Sequence, residues 1–454
     1  MFEKNEVIEV EIESLVYGGD GLARKDGMVI FVPDSVPGDK IDIKITNLKK
    51  DYARGEIIHI IEPSPHRIEP ICPLTECGGC QWQHIDYQEQ LSAKKKIMEE
   101  SFRRIANLDV SVDDVIGSDQ PLGYRSKIQL PVQIDKESGQ IIIGYYQKGT
   151  HLSVDMKECP IHPDIVNRVT NFIKEKANDL RLTAYSKKSE NGLVRHIVYR
   201  YSSSHNKLLV IFVLNHGSIP KKIRSIAESI QENFPDVDGV LVNSNMMKGG
   251  VIMGDKSRAI CGKDYLMEDL EGRSFKISAD SFFQVNPGMA VKMFEFVHRI
   301  IANRTLHPTV LDLYAGVGTF TQWLEGIAHN VLGVEESLSA VNDAMEQIKQ
   351  LKVEERIKVI KHDAELYLET LMKKNQYYDV IILDPPRKGC SPRALELISK
   401  LAKLYIAYVS CDPVVLAKES DFLIKAGFKL ELVQPFDMFS QTYHVESVAL
   451  FKRI

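Results

Sequence analysis

Residues Leu311-Asp312-Leu313-Tyr314-Ala315-Gly316-Val317-Gly318-Thr319-Phe320 decide the fold: an apolar run breaks at a glycine-rich turn and enters a helical stretch. Glycines in such a turn let backbone approach a ligand closely and avoid Cβ collisions between strand and helix. Further apolar runs, at Val331 to Val334, Val359 to Lys361, Val380 to Leu383 and Tyr405 to Val409, alternate with helical stretches. The alternation predicts a Rossmann-like α/β domain over residues 276–454, with ligands at the carboxyl ends of its strands. The turn lacks the full Gly-x-Gly-x-x-Gly spacing. Glu335, however, ends the next run about twenty residues on, where a carboxylate accepts both hydroxyls of a ribose. Asp363 and Asp384 follow the third and fourth runs. Four strand-end features on one edge point to a nucleotide-bearing cofactor; the bland alternative is an α/β domain with helix-capping acids.

Toward the N terminus the pattern changes. Residues 1–62 alternate apolar and polar positions at Val7 to Ile12, Met28 to Val32, Ile41 to Ile45 and Glu56 to Ile61, broken by Gly18-Gly19-Asp20-Gly21 and Pro37-Gly38-Asp39. This string of short strands predicts a small β-barrel. The proline-punctuated stretch Glu62 to Pro70 is a linker into a central β-rich domain over residues 63–275. There Asp86 can cap a helix with Tyr87, Leu91, Met98, Phe102 and Ile105 on one stripe, which leaves Lys94, Lys95, Lys96, Arg103 and Arg104 on an exposed basic face. Such a face is commonly only solvated surface. Residues 124 to 215 read mostly as hairpins, with turns at Glu137-Ser138-Gly139 and Ser202 to Asn206.

At 454 residues and a formal net charge of −5 the chain calls for several domains and is not generally polybasic, so any nucleic-acid surface is a local patch. The first residues do not read as a signal peptide, and the apolar run Leu208 to Leu214 is too short to span a bilayer. A cytoplasmic monomer without a membrane partner is expected. In that reducing compartment cysteines serve as metal ligands, catalytic groups or core residues rather than disulfides.

Three of the seven cysteines stand together as Cys72-Pro73-Leu74-Thr75-Glu76-Cys77-Gly78-Gly79-Cys80, and Cys159 in Lys157-Glu158-Cys159-Pro160 is the natural fourth ligand. Four thiolates suit zinc or an iron-sulfur centre, and the spacing does not decide between them. Cys411, in Ser410-Cys411-Asp412-Pro413, follows an apolar run and is placed to protrude at the sheet edge, where a nucleophile and an ordinary buried cysteine are both open readings. Cys261 and Cys390 read as structural. In Asp384-Pro385-Pro386-Arg387-Lys388-Gly389, an acid before two prolines also marks enzymes that methylate exocyclic amines, but those usually place an aromatic where Arg387 stands.

Phe282-Phe283-Gln284-Val285-Asn286-Pro287, the glycine-turn segment, Asp384 to Gly389, Ser410 to Pro413 and His444-Val445-Glu446 occur in the order found in the uracil-5 RNA methyltransferases. Nearly the whole chain resembles that S-adenosylmethionine-dependent family, and residues 1–62 resemble its RNA-binding TRAM module. The resemblance implies Cys411 as nucleophile toward C6 of uracil and Glu446 as the base that removes the C5 proton. Gln284, Tyr314, Gly316, Glu335 and Asp384, with Asp363 near the adenine, are the implied S-adenosylmethionine contacts. Cys72, Cys77, Cys80 and Cys159 match the ligands of a [4Fe-4S] cluster. Because the TRAM module marks the ribosomal-RNA branch, 23S rRNA is the expected substrate, with the tRNA T-loop as alternative. Ser440 stands where the family often has proline, which leaves the rigidity of the loop before Glu446 open. A redox-sensing RNA-binding protein with a vestigial methyltransferase domain and an amine methyltransferase are the readings from other classes.

Overall fold

The computed structural model describes residues 2–454. The N-terminal sheet holds β1 (Val7–Glu11), β2 (Ser14–Leu15), β3 (Gly21–Lys25), β4 (Met28–Val32), β5 (Lys40–Leu48) and β6 (Tyr52–Glu62) in the order β1-β5-β6-β4-β3-β2. Alternate residues such as Ile41, Ile43 and Ile45 point into one core, as period-two patterning requires. The expected strands are present; β3 and the early start of β6 at Tyr52 were not legible, because charged Arg24 and Arg54 interrupt their apolar pattern.

Beyond the linker, α1 (Tyr87–Ser101) is capped by Asp86, whose Oδ1 accepts from the Glu89 N–H at 3.0 Å, and it runs on as one π-helical turn over Phe102–Ala106. Of the expected basic face, Lys96, Arg103 and Arg104 are exposed and Lys95 is half-buried, but Lys94 is not part of it. The buried stripe is Gln90, Ala93, Lys94, Ile97, Met98 and Ser101, so Lys94 lies inside the protein while Ile105 is half-exposed. Arg103 and Arg104 both pair with Glu100, and Lys95 pairs with Asp114. The stripe was misplaced because a lysine was assigned to water, whereas here it meets a buried carboxylate.

The central sheet contains β7 (Lys127–Ile134), β8 (Ile141–Ile143), β9 (Val194–Ser202), β10 (Lys207–Leu214), β11 (Val237–Ser244) and β12 (Ser257–Gly262), ordered β12-β11-β10-β9-β7-β8. The two expected hairpins, β7–β8 and β9–β10, are antiparallel pairs. Between them and after them come α2 (Asp164–Asp179) and α3 (Lys221–Asn233), and the latter makes the parallel crossover from β10 to β11. This region is thus more helical than its hairpin signals suggested. A hairpin of β13 (Tyr265–Leu270) and β14 (Arg273–Ser278) follows.

The C-terminal region begins with α4 (Pro287–Ala302) and continues through β15 (Thr309–Leu313), α5 (Thr319–Trp323), β16 (Asn330–Glu335), α6 (Leu338–Leu351), β17 (Ile357–Lys361), α7 (Ala364–Lys373), β18 (Tyr378–Leu383), α8 (Pro392–Leu401), β19 (Ala402–Ser410), α9 (Pro413–Lys425), β20 (Phe428–Phe436) and β21 (Glu446–Arg453). Its seven-stranded sheet has the order β17-β16-β15-β18-β19-β21-β20. Strands β15 to β19 are parallel to one another, and β21 runs antiparallel between β19 and β20. This is the Rossmann-like methyltransferase arrangement, with apolar layers packed on both sheet faces. No helix among the described residues is long and apolar enough to cross a membrane.

Candidate active site

The strand order places the ends of β15, β16, β18 and β19 and the start of β21 along one edge. At the glycine turn, Gly316 and Gly318 have φ of +56° and +76°, and Tyr314 itself takes a left-handed φ of +64°. The turn is fixed by Glu335, whose Oε2 accepts from the Gly316 N–H at 3.0 Å and whose Oε1 accepts from the Ser337 N–H at 2.7 Å. Asp384 is reached by Gln284 Nε2, which donates at 3.2 Å, so the motif before α4 and the loop after β18 meet. Asp312 is buried and held by the Thr321 hydroxyl, while its Oδ1 has no hydrogen-bond partner. Burial pushes the Asp312 and Asp384 carboxyls well above the ordinary carboxylate range, and the neighbouring Asp312 pushes Asp384 up further. Asp363 caps α7 by accepting from the Leu366 N–H at 2.9 Å. It is the most peripheral of the expected cofactor residues.

Strand register brings Cys411 and Glu446 together. Ser410 pairs with Ser447 across β19 and β21, so the next positions outward are these two. Burial drives the Cys411 thiol up to about 12, with Glu446, Asp384 and Asp412 adding negative charge and Arg387 opposing it. Glu446 is buried, and its carboxyl is likewise raised well above the usual range by burial and by Asp384, against Arg387. Arg387 is therefore a cation acting on both groups, a role hidden in the sequence behind its unusual place after the two prolines. Cys390 is indeed buried, beneath Tyr314 and Glu419.

The loop between β20 and Glu446 is held by residues that the sequence did not point to. Lys94 is fully buried and pairs with the equally buried Asp437, and it also donates to the Phe439 carbonyl at 3.1 Å. Asp437 Oδ2 further accepts from the Tyr87 and Ser440 hydroxyls, each at 2.5 Å. Ser440 thus fastens the loop where proline would have stiffened it. Gln90 and Gln441 exchange amide hydrogen bonds, and the Gln81 and Trp82 N–H groups both donate to the Gln441 carbonyl at 3.1 Å. Replacing Lys94 by methionine would leave Asp437 buried without its cation, which is expected to cost about 3 kcal/mol of stability. A lowered urea midpoint with a reduced kcat checks this; an unchanged midpoint refutes the buried-pair account.

Cys72, Cys77, Cys80 and Cys159 line one cavity of about 510 Å³ at the seam between the N-terminal sheet and the central domain, together with Arg67, Tyr145 and Lys148. Beside the cavity, a Cβ on Gly78 would approach the Tyr146 carbonyl to 3.0 Å, a tight contact. Burial pushes the Cys80 thiol up to about 11 and that of Cys159 up to about 12. Among the described residues no three His, Cys, Asp or Glu side chains converge closely enough to hold a single metal ion.

A family model described as tRNA (uracil-5-)-methyltransferase matches residues 86–454, and a TRAM-domain model matches residues 2–58. An uncharacterized RNA methyltransferase of Halalkalibacterium halodurans is 36% identical over 451 residues, covering 99% of this chain and 97% of that protein. One of Gloeobacter violaceus is 35% identical over 453 residues, with 99% and 97% covered. Among solved structures, the Pyrococcus abyssi tRNA (uracil-54, C5)-methyltransferase in complex with S-adenosyl-L-homocysteine superposes with a TM-score of 0.74 at 25% identity, covering 98% of this chain and 100% of that one. The chain therefore belongs to the tRNA (uracil-5-)-methyltransferase family and is an S-adenosylmethionine-dependent RNA (uracil-5-)-methyltransferase with an N-terminal TRAM domain.

Proposed function

We propose that the protein methylates C5 of a specific uridine in 23S rRNA through a covalent bond between Cys411 and C6 of the base. The observation that carries the covalent step is the adjacency of Cys411 and Glu446 across β19 and β21, beside Arg387 and Asp384. Uracil C5 is a poor nucleophile by itself. Addition of the Cys411 thiolate to C6 makes an enolate whose C5 can take a methyl group, and removal of the C5 proton by Glu446 then lets the thiolate leave. S-adenosylmethionine supplies that methyl on a positively charged sulfur. The residues suit such a cation: Asp312 Oδ1 is a buried acceptor without a partner, next to Asp384 and Gln284, and Glu335 stands where a ribose is held. Tyr314 and Gly316 shape the turn against it, and Asp363 borders the adenine. The target uridine must be flipped from its stack, which is easiest in a loop or bulge.

The TRAM domain favours the ribosomal substrate, whereas the likeness to a tRNA uracil-54 enzyme over the whole chain favours the T-loop as a second reading. Mass mapping of 5-methyluridine in both RNAs from a deletion strain separates them: loss from 23S rRNA alone supports the first, and loss from tRNA alone overturns it.

The four cavity cysteines are proposed to bind a [4Fe-4S] cluster. Four cysteines lining one cavity suit zinc or an iron-sulfur centre alike, and it is the match of their positions to the cluster ligands of the family that favours the cluster. When bound, the cluster would act as a covalent strut, since methyl displacement needs no electron transfer. Cys77→Ser is expected to lose the brown absorbance and most of the iron and to lower thermal stability, because a hydroxyl cannot replace a thiolate ligand. Colourless anaerobic protein with one zinc and no iron would overturn the assignment.

A further inference from the structure

The TRAM domain reaches the catalytic edge. The turn between β2 and β3 carries Tyr17, whose hydroxyl donates to Asp412 Oδ2 at 3.1 Å across 395 positions of sequence. Asp412 directly follows Cys411, and its other oxygen, Oδ1, caps α9 by accepting from the Val414 and Val415 N–H groups at 2.9 and 3.1 Å. Its backbone is tied as well, through the Ser410 hydroxyl, which donates to the Asp412 carbonyl and accepts from the Asp412 N–H. Both carboxylate oxygens are thus engaged, one by the helix that begins beside the nucleophile and one by a different domain.

The contact is built rather than incidental. Gly18 and Gly19 have φ of +111° and +97°, which folds the turn back, and a Cβ on Gly19 would press to 3.1 Å from Gln81 and 3.2 Å from the Tyr443 ring. The Gly19 carbonyl accepts from the indole N–H of fully buried Trp82 at 3.0 Å. The Tyr17 ring meets Tyr443 edge-on at 5.3 Å, and Tyr443 lies 4.2 Å from His444, two residues before Glu446. One turn of the TRAM domain therefore touches the loops carrying both Cys411 and Glu446.

We infer that Tyr17 is a positioning residue for the methyl transfer: through Asp412 it fixes the orientation of the Cys411 turn, which makes the TRAM domain part of the catalytic centre as well as an RNA grip. The inference rests on Cys411 as nucleophile. It has an electrostatic side too. The groups facing the Cys411 thiol are Glu446, Asp384 and Asp412, which oppose its ionisation, and Arg387, which favours it, with Tyr17 and His444 against Asp412. A hydroxyl donated to Asp412 draws its negative charge away from the thiol.

The test uses the full-length protein. Tyr17→Phe keeps the ring and its packing but removes the donor. It is expected to lower kcat about tenfold with the KM for RNA nearly unchanged, and to move the pH dependence of Cys411 alkylation by iodoacetamide toward alkaline pH. Asp412→Asn, which retains a capping oxygen, is expected to lower kcat as well, and adding Tyr17→Phe to it should then have no further effect. Wild-type kcat in Tyr17→Phe, a change in KM alone, or full additivity in the double variant would each overturn the inference. Failure of the nucleophile reading is seen separately, as turnover by Cys411→Ala.

Discussion

Cys411→Ala is expected to abolish RNA methylation, with a fall in turnover on the order of 10⁴-fold or more, and to remove any covalent RNA adduct on denaturing gels. Affinity for S-adenosylmethionine should be preserved, because the polar groups proposed to hold it, Gln284 before α4 and Glu335 and Asp384 at other strand ends, lose no partner. The free thiol is not a ready nucleophile: burial and three nearby carboxylates push it up to about 12. Its alkylation in the RNA-free protein should therefore be slow at neutral pH and rise about tenfold per pH unit over the range below that value. Binding of substrate must help to ionise the thiol, and Arg387 is a nearby group that already favours the thiolate. Retained methylation by Cys411→Ala would falsify the nucleophile assignment.

The α/β domain was legible because its central parallel strands β15, β18 and β19 are largely buried on both faces and read as continuous apolar runs, whereas edge strand β17 alternates. Strands β20 and β21 were less visible. The β20 run contains Lys429, Glu431 and Gln434, and β21, whose apolar run covers only Val448 to Phe451, is what delivers Glu446 to the position opposite Cys411. Local motifs pointed to Cys411, Glu446, Asp384 and Glu335 as candidates because the proposed chemistry needs a specific residue type at a specific strand end. The groups that hold those motifs in place left no such trace. Lys94 reads as one member of a lysine run, and only the fold shows that its ammonium meets Asp437 some 343 positions later. Tyr17 and Asp412 are equally remote in sequence. Contacts of that kind come from domain packing, which no local periodicity encodes. The same packing brings the N-terminal modules to the proposed reacting groups, since Tyr17, Trp82, Tyr87, Gln90 and Lys94 all engage the loops around them.

Glu446→Gln is expected to separate methyl addition from release. Once C5 carries both its hydrogen and the new methyl, the only way back to an aromatic uracil is loss of that proton, after which the electron pair expels the Cys411 sulfur. Glutamine fills the same space but accepts no proton, so the variant should form the adduct and hold it. A single turnover would then yield near-stoichiometric cross-linked RNA, with release slowed about 10³-fold. The wild-type enzyme adds a pH signature. Burial and Asp384 raise the Glu446 carboxyl well above its ordinary range, against Arg387, so the fraction of ionised base, and with it the release rate, should increase as pH rises through that shifted value. In Glu446→Gln the release rate should lose this dependence, because the titrating group is gone. A variant that is inert and forms no adduct, or one that releases RNA at the wild-type rate, would move the base to another residue, and Asp384, the other buried carboxyl beside Cys411, is where it would be sought.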